Sequence, residues 1–164
     1  QDAHSWVDVS RAYLASDRAD LAAAALSKAQ SIAPNASRVR IQQASIILHN
    51  CWLPGERACN ADWRHASDII HEALAEDPER LSGVYLLGLV DLYRGRPDLA
   101  ANYLKVVHRY APWVPRVNYH LGECLRLLGD SRARIYLRNA RNLAQEPAWR
   151  SAAEASLALL DTPS

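Results

Sequence analysis

The sequence predicts an all-α protein built from repeated helical hairpins. Glycine is scarce, with 6 residues, while Ala, Leu and Arg are abundant, and this composition favours helix. No stretch alternates β-branched or aromatic residues with polar ones between turn signals, as a strand would. Pro34, Pro78 and Pro112 each follow an Ala-rich helical stretch, and the last two are 34 residues apart. This spacing is typical of an array of hairpins.

Length and charge exclude several functional classes. A chain of 164 residues fits one domain or a short solenoid. The 19 Lys and Arg residues nearly balance the 18 Asp and Glu residues, so no overall field attracts nucleic acid or an anionic membrane. No apolar run approaches the length that spans a bilayer. The chain starts at Gln1 and contains no Met, so we expect it to be part of a longer protein.

Residues 81–114 give the clearest register for one hairpin. The Leu87-Gly88 pair lies on the first helix, where the absence of a side chain at Gly88 lets the second helix approach closely. Gly95 follows the first helix and suits the left-handed backbone of a helix end. In the second helix, Ala100 is the small residue at the crossing and Leu104 fills the space beside it.

This pattern resembles the tetratricopeptide repeat family. The first copy matches it at Trp6, Tyr13, Ala22, Leu26, Ala29 and Pro34, with Ser10 and Asp17 in place of the two glycines. The fourth copy matches at Leu121, Gly122 and Gly129 and, with one residue dropped from the turn, at Ala133, Leu137 and Ala140. The resemblance implies a right-handed superhelical array of four hairpins in one domain, with repeats at 3–36, 37–80, 81–114 and 115–148 and a capping helix at 149–160.

The second hairpin contains an insertion over residues 50–62, and two cysteines bracket it. Three states are open for Cys51 and Cys59: a disulfide, free thiols, or a zinc site completed by His49 and His65. The cysteine spacing is wider than that of most zinc sites, and the disulfide is the favoured prediction. A disulfide would place the chain on the periplasmic or extracellular side, and free thiols would place it in the cytoplasm. The third cysteine, Cys124, is expected to be a buried apolar residue.

The resemblance also implies where a partner binds, because the first helix of each hairpin lines the concave face in this family. We predict that a peptide or helix of another protein contacts this groove, with the tyrosines as the strongest contributors and the arginines contributing less. The candidate residues are Arg11, Arg38, Ile41, Gln42, Ser45, Tyr85, Leu89, Tyr119, Glu123 and Arg126. The alternative for the tyrosines is that they pack against neighbouring helices.

No catalytic motif is present, so we predict no catalytic residue, no metal and no cofactor. The predicted function is a non-catalytic scaffold or adaptor that binds protein, in a bacterial cell-envelope, secretion or exopolysaccharide assembly. The alternatives are a structural or self-association module, or a regulatory segment of a larger enzyme complex. The last repeat carries a run of Arg residues, which are Arg132, Arg134, Arg138 and Arg141. Of the two interpretations, a solvated helix face and a binding site for an anionic partner, we favour the solvated face.

Overall fold

The computed structural model describes residues 2–52 and 61–162, and within these ranges the chain is helical with no strand. This confirms the all-α prediction. The helices are α1 (Ala3–Ala15), α2 (Ala19–Ile32), α3 (Ser37–Ile47), the single turn α4 (His49–Trp52), α5 (Trp63–Glu76), α6 (Leu81–Tyr93), α7 (Pro97–Tyr110), α8 (Pro115–Leu127), α9 (Ala133–Leu143) and α10 (Pro147–Asp161). Most of the insertion, residues 53–60, lies outside the described residues.

The helices form two compact units. The N-terminal unit contains the described residues up to Leu86, and the C-terminal unit contains residues 87–162, so that α6 contributes to both. In the N-terminal unit α1 packs on α2, and α3 packs on α5. In the C-terminal unit α8 packs on α9, and α10 covers α9 and α8 at the end of the chain. The third hairpin joins α6 to α7 through Gly88 and Leu104. The predicted four hairpins and terminal helix are therefore present.

Three of the hairpins turn through the same backbone motif. The second residue after the helix has a positive φ in each case: 58° at Asp17, 74° at Gly95 and 70° at Gly129. The next N–H donates to the carbonyl five residues back, from Arg18 to Tyr13 at 3.0 Å and equivalently after Gly95 and Gly129. These bonds satisfy carbonyls that the helix end leaves without a partner.

Asp17 is the exception to glycine in these turns, and a hydrogen bond explains its presence. A left-handed backbone costs an ordinary residue about 1–2 kcal/mol, although Asp tolerates it better than most. Here the carboxylate Oδ1 accepts a hydrogen bond from Nε2 of the buried His49, at 2.8 Å. The side chain thereby fixes the first turn to the residue that begins α4.

The prolines mark the ends of the second helices. The helices α2, α5 and α7 end two residues before Pro34, Pro78 and Pro112, respectively. The residue before each proline has nearly the same conformation, with φ between −146° and −138°. Its N–H still bonds to the helix, as in the 2.9 Å bond from Ala33 to the carbonyl of Ala29. The proline ring disfavours the helical conformation for the residue before it, so the helix ends there and the chain leaves all three hairpins with the same backbone conformation.

The two helices of a hairpin approach most closely at the small residues. A Cβ at Gly88 would lie 2.9 Å from Cγ of Leu104, and a Cβ at Gly122 would lie 2.7 Å from Cγ of Leu137. At the equivalent position of the first hairpin, the Oγ of Ser10 donates to the carbonyl of Ala22 at 2.8 Å. Where the other hairpins have a glycine, the first hairpin therefore has a serine whose hydroxyl bonds to the backbone of the facing helix.

Gly122→Ala should destabilise the protein, because the new methyl group meets Leu137 and also the Leu137 backbone nitrogen at 3.2 Å. Overpacking costs about 1–3 kcal/mol, and the helix preference of Ala returns about 1 kcal/mol. Because one of the contacts is to backbone, we expect the overpacking cost to be about 2–3 kcal/mol, which leaves a net loss of about 1–2 kcal/mol in a urea titration at unchanged slope. Ser151→Ala, on the exposed side of α10, is the control and should not destabilise. A Gly122→Ala variant as stable as the parent would contradict the close crossing.

Candidate functional site

Three of the predicted contact residues lie together on one side of α8. Tyr119, Glu123 and Arg126 are spaced by four and three residues, which places them on the same face of a helix. All three are half-buried, while the opposite side of α8 is buried in the C-terminal unit. Arg116 and Leu127, which are exposed, extend this surface in both directions. We call the five residues the α8 face.

Tyr119 is held in place by the terminal helix. Its ring lies edge-on to Trp149 of α10, with the centroids 5.7 Å apart, and edge-on to His120 at 5.1 Å. Its hydroxyl lies close to the side chain of Ser156, which is also on α10. Burial, reinforced by the nearby charge of Glu123, raises the pKa of Tyr119. The side chain is therefore a neutral aromatic group in a fixed orientation.

Glu123 and Arg126 form a two-pronged ion pair beside Tyr119. The Arg126 Nε donates to Oε1 of Glu123, and its Nη2 donates to Oε2, each at 3.0 Å. The hydrogen bonds raise the pKa of Arg126 further. Since each side chain fixes the other, a partner meets both charges in a prepared geometry and does not have to order them.

The N-terminal unit carries a smaller polar face on α1 and α3. The Oδ1 of Asp8 accepts from Nη2 of Arg11 at 2.8 Å and from Nη2 of Arg38 at 2.5 Å. The carboxylate thus holds two guanidinium groups, and Arg11 and Asp8 are exposed to solvent. Asp8 was not among the predicted residues, although its spacing from Arg11 on α1 could have indicated the pair.

The other five predicted contact residues are buried in the structure. Ile41 and Leu89 are core residues, and the Cδ1 of Ile41 lies 2.8 Å from the position of a Cβ on Gly83. Gln42 donates to the Oγ of Ser10 at 3.0 Å, and Ser45 donates to the carbonyl of Ile41 at 2.9 Å. Tyr85 is buried as well. These side chains serve the interior, so we restrict the candidate binding residues to the accessible five: Arg11, Arg38, Tyr119, Glu123 and Arg126.

Cys51 is buried and takes part in a disulfide, whereas Cys124 has a buried free thiol. Cys59 lies outside the described residues, so its pairing with Cys51 stays a prediction. Burial raises the pKa of the Cys124 thiol to about 12, which keeps it protonated and unreactive.

The two histidines of the zinc alternative have other contacts or stand apart. His49 bonds to Asp17, and His65 is exposed in the first turn of α5, where its N–H donates to Oδ1 of the N-cap Asp62 at 3.0 Å. Among residues 2–52 and 61–162, no group of three or more His, Cys, Asp and Glu side chains is arranged to hold a metal ion. In the same ranges, no helix has the length and apolar character needed to cross a bilayer.

Comparison with solved structures identifies the fold. A thermophilic TPR protein of Thermus thermophilus, TTC0263, superposes with a TM-score of 0.73 over 97% of this chain and 83% of its own, at 20% identity. The chain has the tetratricopeptide repeat fold. The Pseudomonas aeruginosa protein PilF matches the array over 96% of this chain and 68% of its own, with a TM-score of 0.69 and 17% identity.

A third solved structure gives the same result. The MamA RS-1 ArsTM double mutant covers 97% of the chain and 85% of its own, with a TM-score of 0.64 at 19% identity. No protein-family model matches the sequence, and no curated protein matches it significantly. The repeat fold is therefore established by the geometry of the hairpins. The similarity of the whole sequence to these proteins, at 17–20% identity, is too low to show it.

A thiol titration of the unfolded protein without reductant tests the state of the cysteines. With Cys51 in a disulfide with Cys59, only Cys124 should react, giving one thiol per chain. In the native protein even this thiol should react slowly, because it is buried and its pKa is raised. Three reactive thiols after unfolding would contradict the disulfide. The reduced and unfolded protein, which should give all three, is the control.

Acid should destabilise the C-terminal unit through His120. This ring is fully buried on α8, and its Nδ1 donates to the carbonyl of Arg116 at 2.9 Å. Burial, with the charge of Arg116 adding to it, lowers the pKa of His120 to about 3. The unfolded chain binds a proton below about pH 6.5 and the folded chain does not, so stability is lost as the pH falls from 6.5 towards 3.

Urea titrations between pH 7 and pH 4 measure this effect. The single proton contributes a slope of up to about 1.4 kcal/mol per pH unit. His120→Gln, which does not titrate, should lower stability at pH 7 but flatten the pH dependence by that amount. Ser151→Ala, which changes no titratable group and lies at an exposed position of α10, should leave the slope of the parent unchanged. Equal slopes in the parent and His120→Gln would contradict the buried neutral imidazole.

Proposed function

We propose that this chain is a non-catalytic scaffold that binds a segment of another protein, with the α8 face as its main contact surface. The single observation that carries the proposal is the immobilised Tyr119 beside the Glu123–Arg126 ion pair. An aromatic ring with a fixed orientation and a prepared ion pair lose little conformational freedom on binding. Tyr and Arg are also the residue types most often found as major contributors at protein interfaces.

The fold supports this proposal because a tetratricopeptide array presents the first helices of successive hairpins as a surface. The face of Asp8, Arg11 and Arg38 offers a second, polar contact area on the N-terminal unit. We assign these charges a smaller role, because exposed ion pairs remain solvated and contribute little to affinity. A carboxylate of the partner would replace Asp8 as the group that accepts hydrogen bonds from Arg11 and Arg38.

The setting we propose is an oxidising compartment of a bacterial cell envelope. The disulfide at Cys51 supports it, because disulfides persist in the periplasm and outside the cell and are rare in the cytosol. An assembly for secretion or exopolysaccharide export is a setting of this kind. No reaction is assigned to the chain, and its role would be to hold partners in place.

The experiment has two steps, both carried out on the full-length protein. First, a photo-reactive amino acid replaces Leu127, the exposed residue at the end of the α8 face, and captures the partner in the source cells. Second, the affinity of the purified partner is measured for Tyr119→Ala and Tyr119→Phe. We expect Ala to weaken binding by about 2 kcal/mol, roughly 30-fold, while Phe retains most of the affinity because the ring is preserved.

The control is Arg64→Ala, at an exposed position of α5, which should leave the affinity unchanged. Glu123→Gln should weaken binding less than Tyr119→Ala and in a salt-dependent manner. Melting curves must show that each variant is as folded as the parent. If Arg64→Ala weakens binding while Tyr119→Ala has no effect, the partner uses another surface and the assignment of the α8 face is wrong.

A further inference from the structure

The helix α7 exposes apolar side chains along one face, in a pattern that folding does not explain. Leu99, Val106 and Tyr110 are 42%, 40% and 60% exposed, and Trp113, just beyond the helix, is 66% exposed. Their spacings of seven, four and three residues place them in one row. We call these four residues the α7 stripe. A single exposed apolar residue is ordinary, but a row that ends in two exposed aromatic rings is typical of an interaction surface.

The repeat itself provides the internal comparison. The small residues Ala66 and Ala100 are both fully buried at equivalent positions of α5 and α7, and they fix an offset of 34 residues. At this offset Val106, Tyr110 and Trp113 correspond to three glutamates, which are Glu72, Glu76 and Glu79. All three glutamates are exposed. The hairpin therefore folds with charged residues at these positions, and the apolar residues of α7 are not required for it.

The charges beside the stripe indicate the chemistry of the ligand. Lys105 and Arg109 are exposed on the adjoining side of α7, one residue before Val106 and Tyr110. The only acidic residue of this helix is Asp98, in the first turn. The sequence from Leu87 to the end carries eleven Arg and Lys residues against seven Asp and Glu residues. An acidic partner would be attracted to this surface, and a second copy of the same surface would be repelled.

The shape of the stripe indicates a helix. The row follows α7 over its 14 residues, about 21 Å at 1.5 Å per residue. On the neighbouring α9, which touches α7 through the His108–Tyr136 ring contact at 5.1 Å, Ile135 is also exposed. A helix with apolar residues every three or four positions could lie along α7 and bury this row.

We propose that the α7 stripe binds an amphipathic helix of another protein, with acidic residues beside its apolar face. The surface is separate from the α8 face and does not depend on the function proposed for it. The scaffold would then hold two partners at once, one on the first helices and one on α7. The aromatic residues Tyr110 and Trp113 would supply most of the affinity, and Lys105 and Arg109 would select the acidic partner.

The test uses a synthetic amphipathic peptide of about 18 residues, long enough for partial helix formation, with a Leu stripe and Glu flanks. A second peptide has the same stripe with Lys flanks. Binding of both to the full-length protein is measured by fluorescence anisotropy. We expect the Glu peptide to bind at least tenfold tighter than the Lys peptide, with an affinity that falls as salt is added.

The decisive variant gives α7 and the segment just after it the residues found at the equivalent positions of the α5 repeat: Val106→Glu, Tyr110→Glu and Trp113→Glu together. All three positions are exposed and the same residues stand in a helical hairpin of this chain, so the variant should fold, which circular dichroism verifies. It should lose at least tenfold in affinity for the Glu peptide. Ile32→Glu, an equivalent exposed change on α2, should lose none. Tyr119→Ala should also bind this peptide normally, which separates this proposal from that for the α8 face.

Four results would overturn the proposal. The first is equal or absent binding of the two peptides, and the second is normal binding by the triple variant. The third is a dimer in light scattering that the parent forms and the triple variant does not, which would assign the stripe to self-association. The fourth is binding to vesicles of anionic phospholipid that the triple variant loses, which would assign it to a membrane surface.

Discussion

The close crossing of two helices within a hairpin is the contact on which the rest of this structure depends. At Gly88 and Gly122 the partner Leu side chains occupy the space that a Cβ would need, 2.9 and 2.7 Å from its position. Ser10 makes the same crossing with a hydrogen bond to the backbone of α2. Because the helices meet at one small residue, the turn, the second helix and the proline that follows it are placed relative to that point.

The crossing also determines which side chains remain available to other molecules. Once two helices approach this closely, the residues beside the small position become interior, as Leu104 and Leu137 are. The residues on the other faces of α7 and α8 do not have to fill the crossing. Tyr119, Glu123 and Arg126 on α8, and the α7 stripe, lie on such faces. Their amino acids are consequently better indicators of binding than the residues that the hairpins share.

The sequence predicted the hairpins well because each relies on local signals. Glycine at a left-handed turn, proline two residues after a helix and the Leu-Gly pairs act over a few residues, and all lie where they were expected. It also anticipated that Asp17 would occupy the place of a turn glycine. The hydrogen bond from His49 that accompanies Asp17 joins residues 32 apart, and no local pattern reveals it.

The candidate site was predicted less well, because repeat register specifies the side of a helix and not how deeply it is covered. Ile41 and Leu89 lie on the expected helices but are buried. Tyr85 is buried too, as the alternative interpretation of the tyrosines allowed. Tyr119 remained accessible, and its contact with Trp149 depends on the packing of α10. The sequence pattern also did not predict that the α7 stripe is exposed, because an apolar residue at helical spacing is usually interior.

Nuclear Overhauser measurements on the isotope-labelled protein test the central contact most directly. We expect strong effects between the α-protons of Gly122 and the methyl groups of Leu137, and between those of Gly88 and the methyl groups of Leu104, because each pair is in van der Waals contact. We also expect an effect between Ser10 and Ala22, at the same crossing of the first hairpin. Absence of the two glycine effects in a folded, helical protein would show that the hairpins cross elsewhere and would contradict the account.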